Sequence, residues 1–182
     1  KVPSNLQWVL EQCTIPEDNG RAVAEAIIRN NGRCICDGAV KDRMGTASAH
    51  FMDVNAKDTY EICNRTPGSD QDIHSYRSEL CGILSNVLMV NCIAKTHDIQ
   101  EGTVTLGCDN ESALWSSIGH GDISAGDPSR DIINVIRYHI KQTPITWLHR
   151  HVEGHQDDKK DRQLDEWAIA NVEADKAAGL YW

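Results

Sequence analysis

The chain has 182 residues, 40% of them hydrophobic and 25% charged, with a formal net charge of −9. This length favours one domain, or one domain plus an attached segment, with a substantial core, over two full domains. The acidic balance argues against a protein that holds nucleic acid through bulk positive charge. The sequence shows neither an apolar run long enough to cross a bilayer nor a secretory leader, so we expect a cytosolic or nuclear setting and no membrane partner.

The seven cysteines are odd in number and show no paired Cys-x-x-Cys spacing. Most of them lie inside apolar strand or helix patterns, which predicts buried, reduced thiols in a reducing compartment. Cys34 and Cys36 share one face of a predicted strand, and core packing accounts for them better than redox chemistry does.

The first part of the chain is predicted to be helical. Arg21 to Asn30 is rich in alanine and other good helix formers, and Gly32 is the expected stop. The chain begins with Lys1 instead of Met, which suggests a piece of a longer parent. We therefore predict a helical N-terminal segment over residues 1–32, as a lead-in or a linker from an upstream domain, and a main domain over residues 33–182.

Three short apolar segments with polar breaks between them follow this segment. They run from Cys34 to Val40, from Gly45 to Val54 and from Thr59 to Cys63, and they predict an antiparallel three-strand meander. A loop that begins at Thr66 leads to a long helix from His74 to Lys95, where apolar residues recur at helical spacing.

Strands and helices alternate in the second half of the chain. Such alternation after a meander predicts an α/β domain with a five-stranded mixed sheet, in which parallel strands extend the meander and helices flank the sheet. The predicted elements are a strand at Thr103 to Cys108, helices at Ser112 to Ile118 and Pro128 to Gln142, a strand at Ile145 to His151, a polar loop at Glu153 to Asp161, and a final helix from about Gln163 to Ala178.

Four acidic residues stand on these elements in the order strand, helix, strand, helix: Asp37, Glu79, Asp109 and Asp175. Ligands of such sheets gather at the carboxyl ends of the strands, so we expect these side chains to meet there. Carboxylates that meet repel each other unless a counter-charge lies between them, and a pair of hard divalent ions is the usual one. The pattern predicts a metal-dependent phosphodiesterase.

Each acid also has a simpler explanation when it is taken alone. Asp37 precedes a glycine and is typical of a turn, Asp109 precedes a short helix and is typical of an N-cap, and Glu79 or Asp175 would be an ordinary charge on a helix surface. Their occurrence together favours the metal cluster.

Histidines add a second possible chemistry. His155 lies on the loop before the final helix, where a mobile imidazole would move protons near neutral pH. The spacing His149, His151, His155 also suggests a zinc site, but no cysteine completes it, and strand histidines often only fill a pattern. We favour the proton-transfer role.

These residues resemble the ribonuclease H family, especially the domain attached to reverse transcriptases of retroelements. The resemblance spans roughly Arg33 to Gly179, and its strength lies in the order of five short pieces. The pieces are Asp37-Gly38-Ala39, Ser75-Tyr76-Arg77-Ser78-Glu79-Leu80, Cys108-Asp109-Asn110, Gly154-His155 and Asn171-x-x-Ala174-Asp175.

The resemblance implies a ribonuclease H-like fold and a catalytic domain over residues 33–182. It implies endonucleolytic cutting of the RNA strand in RNA/DNA hybrids, with two Mg²⁺ ions, or Mn²⁺, as cofactor and an upstream reverse transcriptase domain as a partner in the parent chain. The four acids would be catalytic metal ligands and His155 a catalytic proton carrier. The residues implied along the substrate are Gly38, Ser75, Arg77 and Asn171.

Two other functions remain open from the sequence. The first is a different nuclease or a strand-transfer enzyme on the same fold, such as a transposase or a junction resolvase, since a fold alone does not fix a function. The second is a non-catalytic domain that braces a reverse transcriptase or binds a partner. The complete set of four acids argues against the second.

Overall fold

The structure is a computed structural model that describes residues 2–119, 121–158 and 163–182. Within these residues six strands form one sheet, in the order β1-β4-β3-β2-β5-β6. The strands are β1 (Gln12–Thr14), β2 (Gly32–Lys41), β3 (Met44–Phe51), β4 (Glu61–Arg65), β5 (Gly102–Cys108) and β6 (Ile145–His151). The α-helices are α1 (Arg21–Ile28), α2 (Ser75–Thr96), α3 (Glu111–Ser117), α4 (Arg130–Ile140) and α5 (Glu166–Leu180), and there are 3-10 helices at Ser4–Leu10 and Gln156–Asp158.

The sheet is mixed, as predicted. β2, β3 and β4 pair antiparallel as a meander, while β5 pairs parallel with β2 and β6 pairs parallel with β5. The predicted count of five strands is wrong, because β1 adds an antiparallel edge strand beside β4. β1 has only three residues, and the first and last of them are exposed. A strand this short has no alternation of apolar and polar residues from which the sequence could predict it.

The N-terminal segment contains the predicted helix, which begins at Arg21 and ends when Asn30 adopts a left-handed conformation with φ 58°. Apolar side chains of this segment, including Val9 and Ile27, lie fully buried in the same hydrophobic cluster as the helices and strands that follow. The proposed domain boundary after residue 32 stays a prediction.

Hydrophobic clusters cover the two faces of the sheet. The larger one joins α2 to the β2 face that carries Cys34 and Cys36, and both thiols are fully buried and unpaired. The smaller one contains Ile35, which points to the opposite face of β2, and Trp167 of α5. β2 therefore runs between α2 and α5, and a side chain at its end can meet residues from both helices.

Helix α5 is tied to the sheet by hydroxyl groups. Thr46 Oγ1 donates to the carbonyl oxygen of Ala178 at 2.8 Å, and Ser48 Oγ donates to that of Ala174 at 2.6 Å. The helix begins at Glu166, three residues later than predicted, because the Asp165 side chain caps it by accepting from the Ala168 N–H.

Two other regions bear on the predictions. The loop predicted from Glu153 to Asp161 contains the 3-10 turn at Gln156–Asp158, and its residues 159–161 lie outside the described part of the chain. None of the helices that the structure describes has the length and apolar character needed to cross a membrane.

Candidate active site

Asp37 and Asp109 lie at the same level on neighbouring strands. The parallel ladder between β2 and β5 pairs Ile35 with Gly107, and each aspartate follows two residues later. β5 ends at Cys108, whereas β2 continues to Lys41 in its pairing with β3. The end of β5 thus opens a notch beside β2, with Asp37 on one side and Asp109 at the carboxyl end of the other.

Glu79 reaches this notch from the start of α2. The helix begins at Ser75, with His74 Nδ1 accepting from the Arg77 N–H at the N-cap, and Glu79 is only 3% exposed. Gly38 makes its approach possible, since a Cβ atom at residue 38 would lie 2.5 Å from the Glu79 backbone nitrogen. The helix can lie directly on β2 here because residue 38 has no side chain.

Asp109 is not the cap of the helix that follows it. Asn110 is the N-cap of α3, and its Oδ1 accepts from the Ala113 N–H at 3.0 Å. The explanation of Asp109 as a simple N-cap is therefore wrong, and its carboxylate is free to line the cleft. The ring of His151 contacts the Asp109 carbonyl oxygen at 2.9 Å and fixes the backbone there.

The loop after β6 lies directly against the Asp109 carboxylate. A Cβ atom at Gly154 would stand 2.6 Å from Asp109 Oδ2, so a larger residue here would displace the Asp109 carboxylate. The next residue, His155, adopts a left-handed conformation with φ 50° and is exposed at the rim. The turn places the imidazole of His155 beside the acids.

Helix α5 contributes Asn171 and Asp175. Asn171 is 3% exposed, and its Nδ2 lies 3.5 Å from Asp37 Oδ2. Its Oδ1 is buried and has no hydrogen-bond partner among the described residues. Asp175, one turn further along, is exposed and faces the same cleft.

A cleft of about 590 Å³ joins these side chains. All five predicted catalytic residues line it, and so do three of the four predicted substrate residues. These eight residues are Asp37, Glu79, Asp109, His155, Asp175, Gly38, Ser75 and Asn171.

Arg77 is the predicted site residue that does not line the cleft. It is 4% exposed, and its guanidinium donates to both carboxylate oxygens of Asp131, at 2.9 and 2.8 Å. It also donates to the carbonyl oxygens of Pro67 and Pro128. These contacts brace α2 against α4, and a role for Arg77 toward substrate stays a prediction.

Burial and mutual repulsion shape the ionisation of the strand acids. Burial, followed by the charges of Asp109 and Asp175, raises the pKa of Asp37 to about 8. Burial is also the first cause of the raised pKa of Asp109, to which Asp175 adds while His155 and His151 oppose it. A cation between Asp37 and Asp109 would oppose both shifts, because it favours the charged form of each carboxyl group.

Glu79 is the most deeply placed acid of the cluster. Burial raises its pKa well above the usual range, and the neighbouring Cys108 and Asp37 raise it further. Cys108 Sγ lies 3.4 Å from Glu79 Oε2. Burying a carboxylate here without a counter-charge costs free energy, and a bound cation would offset that cost.

The histidine zinc site is not formed. The His149 ring packs 5.3 Å from the Trp115 ring, and His151 is engaged by the Asp109 carbonyl group. Among the described residues, the one group with the spacing of metal ligands consists of Glu79, Cys108 and Asp109, without a histidine.

Three residues near the acids were missed in the sequence. Asp157 and Glu111 line the cleft, and Cys108 lies behind it against Glu79. Glu111 lies in the first turn of α3, two positions after Asp109, and this closeness to a predicted metal ligand could have indicated that it lines the cleft. Asp157 lies in a polar loop, whose path the sequence pattern does not define.

No protein-family model matches the sequence, and neither does any curated protein. Among solved structures, the chain is similar to ribonuclease H1 from the archaeon Halobacterium salinarum NRC-1, with 16% identity, a TM-score of 0.45, and 81% of this chain and 98% of that chain covered. It is also similar to the N-terminal ribonuclease H domain of Rv2228c from Mycobacterium tuberculosis, solved as a fusion with maltose-binding protein, with 12% identity, a TM-score of 0.45, and 81% and 96% covered.

The arrangement of the sheet is the one that the ribonuclease H resemblance predicts. Its meander of β2, β3 and β4 is extended by the parallel strands β5 and β6, as the sequence resemblance implies, with β1 as an addition. Likeness at the level of these two structures assigns neither an activity nor a substrate to the chain.

Proposed function

We propose that this chain is a ribonuclease H, a metal-dependent endonuclease that hydrolyses the RNA strand of RNA/DNA hybrids. The observation that carries the proposal is the single cleft that collects Asp37, Glu79, Asp109 and Asp175 from two adjacent strands and two helices. Asp37 and Glu79 are both buried, whereas carboxylates that serve only as surface charges stay exposed to solvent.

The residues present fit a pair of hard divalent cations. The four carboxylates would hold two Mg²⁺ ions, or Mn²⁺, because such ions prefer oxygen ligands. The raised pKa values of Asp37, Glu79 and Asp109 are the response of acids that lack a counter-charge, and the unpartnered Asn171 Oδ1 is a further oxygen in the same wall. When bound, the ions would supply an activated water and stabilisation of the leaving oxygen.

The remaining cleft residues would act on protons and on substrate. His155, exposed at the rim, would accept a proton at its imidazole and release it to solvent, and the left-handed turn at this residue sets the ring beside Asp109. Ser75 and Asn171 would donate hydrogen bonds to the hybrid, and the backbone of Gly38, which lines the cleft, would lie along the hybrid. Contact with the ribose 2′-hydroxyl would distinguish RNA from DNA.

Substrate affinity would be modest for the chain alone. Its net charge of −9 works against phosphate binding, and two bound divalent ions offset only part of that charge. We propose that an upstream reverse transcriptase domain of a retroelement, in the same parent chain, supplies additional affinity for the hybrid. Such a protein would act in the cytoplasm or the nucleus.

The decisive experiment uses an RNA/DNA hybrid labelled on each strand, in Mg²⁺, in Mn²⁺ and in EDTA. We expect metal-dependent cutting of the RNA strand alone, with loss of cutting in Asp109→Asn. Preferred cutting of duplex DNA or four-way junctions would instead assign a transposase-like or resolvase-like function. Absence of cleavage together with absence of Mg²⁺ and Mn²⁺ binding by calorimetry would assign a non-catalytic role.

A further inference from the structure

A thiol lies directly behind the carboxylate cluster. Cys108, the last residue of β5, places its Sγ 3.4 Å from Glu79 Oε2. One ligand atom each from Glu79, Cys108 and Asp109 lie within 4.8 Å of one another. Hard ions such as Mg²⁺ do not favour sulfur ligands, so the proposed nuclease chemistry does not use this thiol.

The spacing suits a small tetrahedral ion. Zn²⁺ binds sulfur at about 2.3 Å and carboxylate oxygen at about 2.0–2.2 Å, which separates sulfur from oxygen by roughly 3.6 Å in a tetrahedral site. The observed 3.4 Å between Cys108 Sγ and Glu79 Oε2 is close to that separation. Small rotations of the two carboxylates would complete the shell.

A second observation points to a cation in the same cleft. Asn171 is 3% exposed and lines the cleft with Glu79 and Asp109, and its buried Oδ1 has no hydrogen-bond partner among the described residues. Burying an amide oxygen without a partner is costly. A cation, or a water molecule bound to one, would satisfy it.

From this geometry we infer that Glu79, Cys108 and Asp109 form a binding site for thiophilic divalent cations, Zn²⁺ or Cd²⁺, with a water molecule or the Asn171 amide oxygen of the same cleft as a further ligand. On binding, the Cys108 S–H bond breaks and any proton on the Glu79 or Asp109 carboxyl group is also released; these protons leave to solvent, and the sulfur and carboxylate oxygens donate electron pairs to the ion. The ion would take Glu79 and Asp109 from the hard-metal site. Inhibition of hydrolysis by these ions follows, and this last step alone rests on the proposed function.

The test uses Cd²⁺ as the probe, because cadmium bound to a thiolate gives a charge-transfer absorption in the ultraviolet. Cys13 and Cys92 are partly exposed thiols, so both are first replaced by serine. In that background we expect a band that saturates at one Cd²⁺ per chain and is lost in Cys108→Ala. Cys34→Ala is the matched control, since Cys34 is equally buried on β2 but its Sγ donates to the Thr105 carbonyl oxygen and is not part of the metal-ligand group.

Thermal melting identifies variants that do not fold, and Cys108→Ser is the second variant if Cys108→Ala fails. We expect the apparent affinity for Cd²⁺ to fall at least about tenfold in either variant. A band that persists without Cys108, or that is absent from the folded parent, would overturn the inference.

An activity assay tests separately whether the thiophilic ion competes with Mg²⁺. With hybrid in Mg²⁺, Zn²⁺ should inhibit the parent and Cys34→Ala at concentrations at least about tenfold lower than those that inhibit Cys108→Ala. Equal inhibition of all three would contradict the competition. If no hydrolysis occurs at all, the proposed function fails, while the cadmium band still decides the binding site.

Discussion

Asp37 and Asp109 are held level with each other by the backbone ladder of β2 and β5, each two residues beyond the paired Ile35 and Gly107. Backbone hydrogen bonds between neighbouring strands, not flexible loops, therefore set their separation. Changes to either side chain should alter the charge of the cleft and leave the strands in place.

Asp109→Asn should lower turnover of hybrid by at least about 100-fold, because it removes a fixed negative charge from the metal site while keeping the shape of the side chain. The melting temperature without metal should stay equal to or above that of the unchanged chain. Glu101→Gln is the matched control, since Glu101 is exposed next to the opposite end of β5. Normal turnover in Asp109→Asn would refute the proposed mechanism.

The level placement of the two aspartates follows from sequence, because both lie on short apolar strands and parallel strands end on the same side of a sheet. The burial of Glu79 does not follow from the sequence. It depends on α2 packing against β2 where Gly38 has no side chain, and Gly38 and Glu79 are 41 positions apart. The partners of Arg77 were hidden for the same reason. Asp131 lies on another helix, and a sequence motif gives no sign of that pairing.

The edge strand β1 and the approach of Gly154 to Asp109 show the same limit. The spacing of apolar residues in a sequence predicts which side chains are buried, but none of the three side chains of β1 is fully buried. The Gly154 contact arises from the path of a loop, which local residue preferences do not set. Fold class and the acids were accessible because they depend on patterns within elements, whereas these contacts depend on packing between elements.

Asp37→Asn should stabilise the protein at pH 8 in EDTA. The folded pKa of Asp37 is about 8, above its ordinary value of 3.8, so the fold favours the neutral acid. Its contribution to stability is complete below about pH 4 and is lost as the pH rises toward 8. Asparagine stays neutral, so urea unfolding at pH 8 should give a free energy of unfolding about 2–5 kcal/mol above that of the unchanged chain.

Mg²⁺ provides the control for this prediction. It should raise the stability of the unchanged chain at pH 8, because the ion favours the charged acids, and should do so much less in Asp37→Asn. Equal stability of the two proteins in EDTA at both pH 4 and pH 8 would show that Asp37 is not perturbed.

Gly38→Ala should both destabilise the fold and weaken metal binding. The added Cβ would lie 2.5 Å from the Glu79 nitrogen and 2.6 Å from the Ser78 carbonyl carbon, so α2 has to move away from β2. Overpacking of this kind costs about 1–3 kcal/mol. Urea unfolding should measure that loss, and calorimetry should show weaker Mg²⁺ binding because Glu79 moves with the helix.

Gly179→Ala is the matched control for Gly38→Ala. Residue 179 lies in α5 with no atom within 4 Å of an added Cβ, so alanine should stabilise the chain by about 0.5–1 kcal/mol. If Gly38→Ala were as stable as Gly179→Ala and bound Mg²⁺ normally, the close packing of α2 on β2 would not be what positions Glu79.

Arg77→Lys separates a structural role of this residue from contact with substrate. Lysine keeps the charge but cannot serve Asp131 and the Pro67 and Pro128 carbonyl oxygens at once, so part of this hydrogen-bond network around the buried end of the side chain is lost. We expect a loss of about 1–3 kcal/mol in urea unfolding and an unchanged KM for hybrid at a temperature where the variant is folded. Arg43→Lys is the control, because Arg43 is exposed and its nearest acid, Asp70, is 3.9 Å away. An unchanged stability with a raised KM would instead place Arg77 on the hybrid.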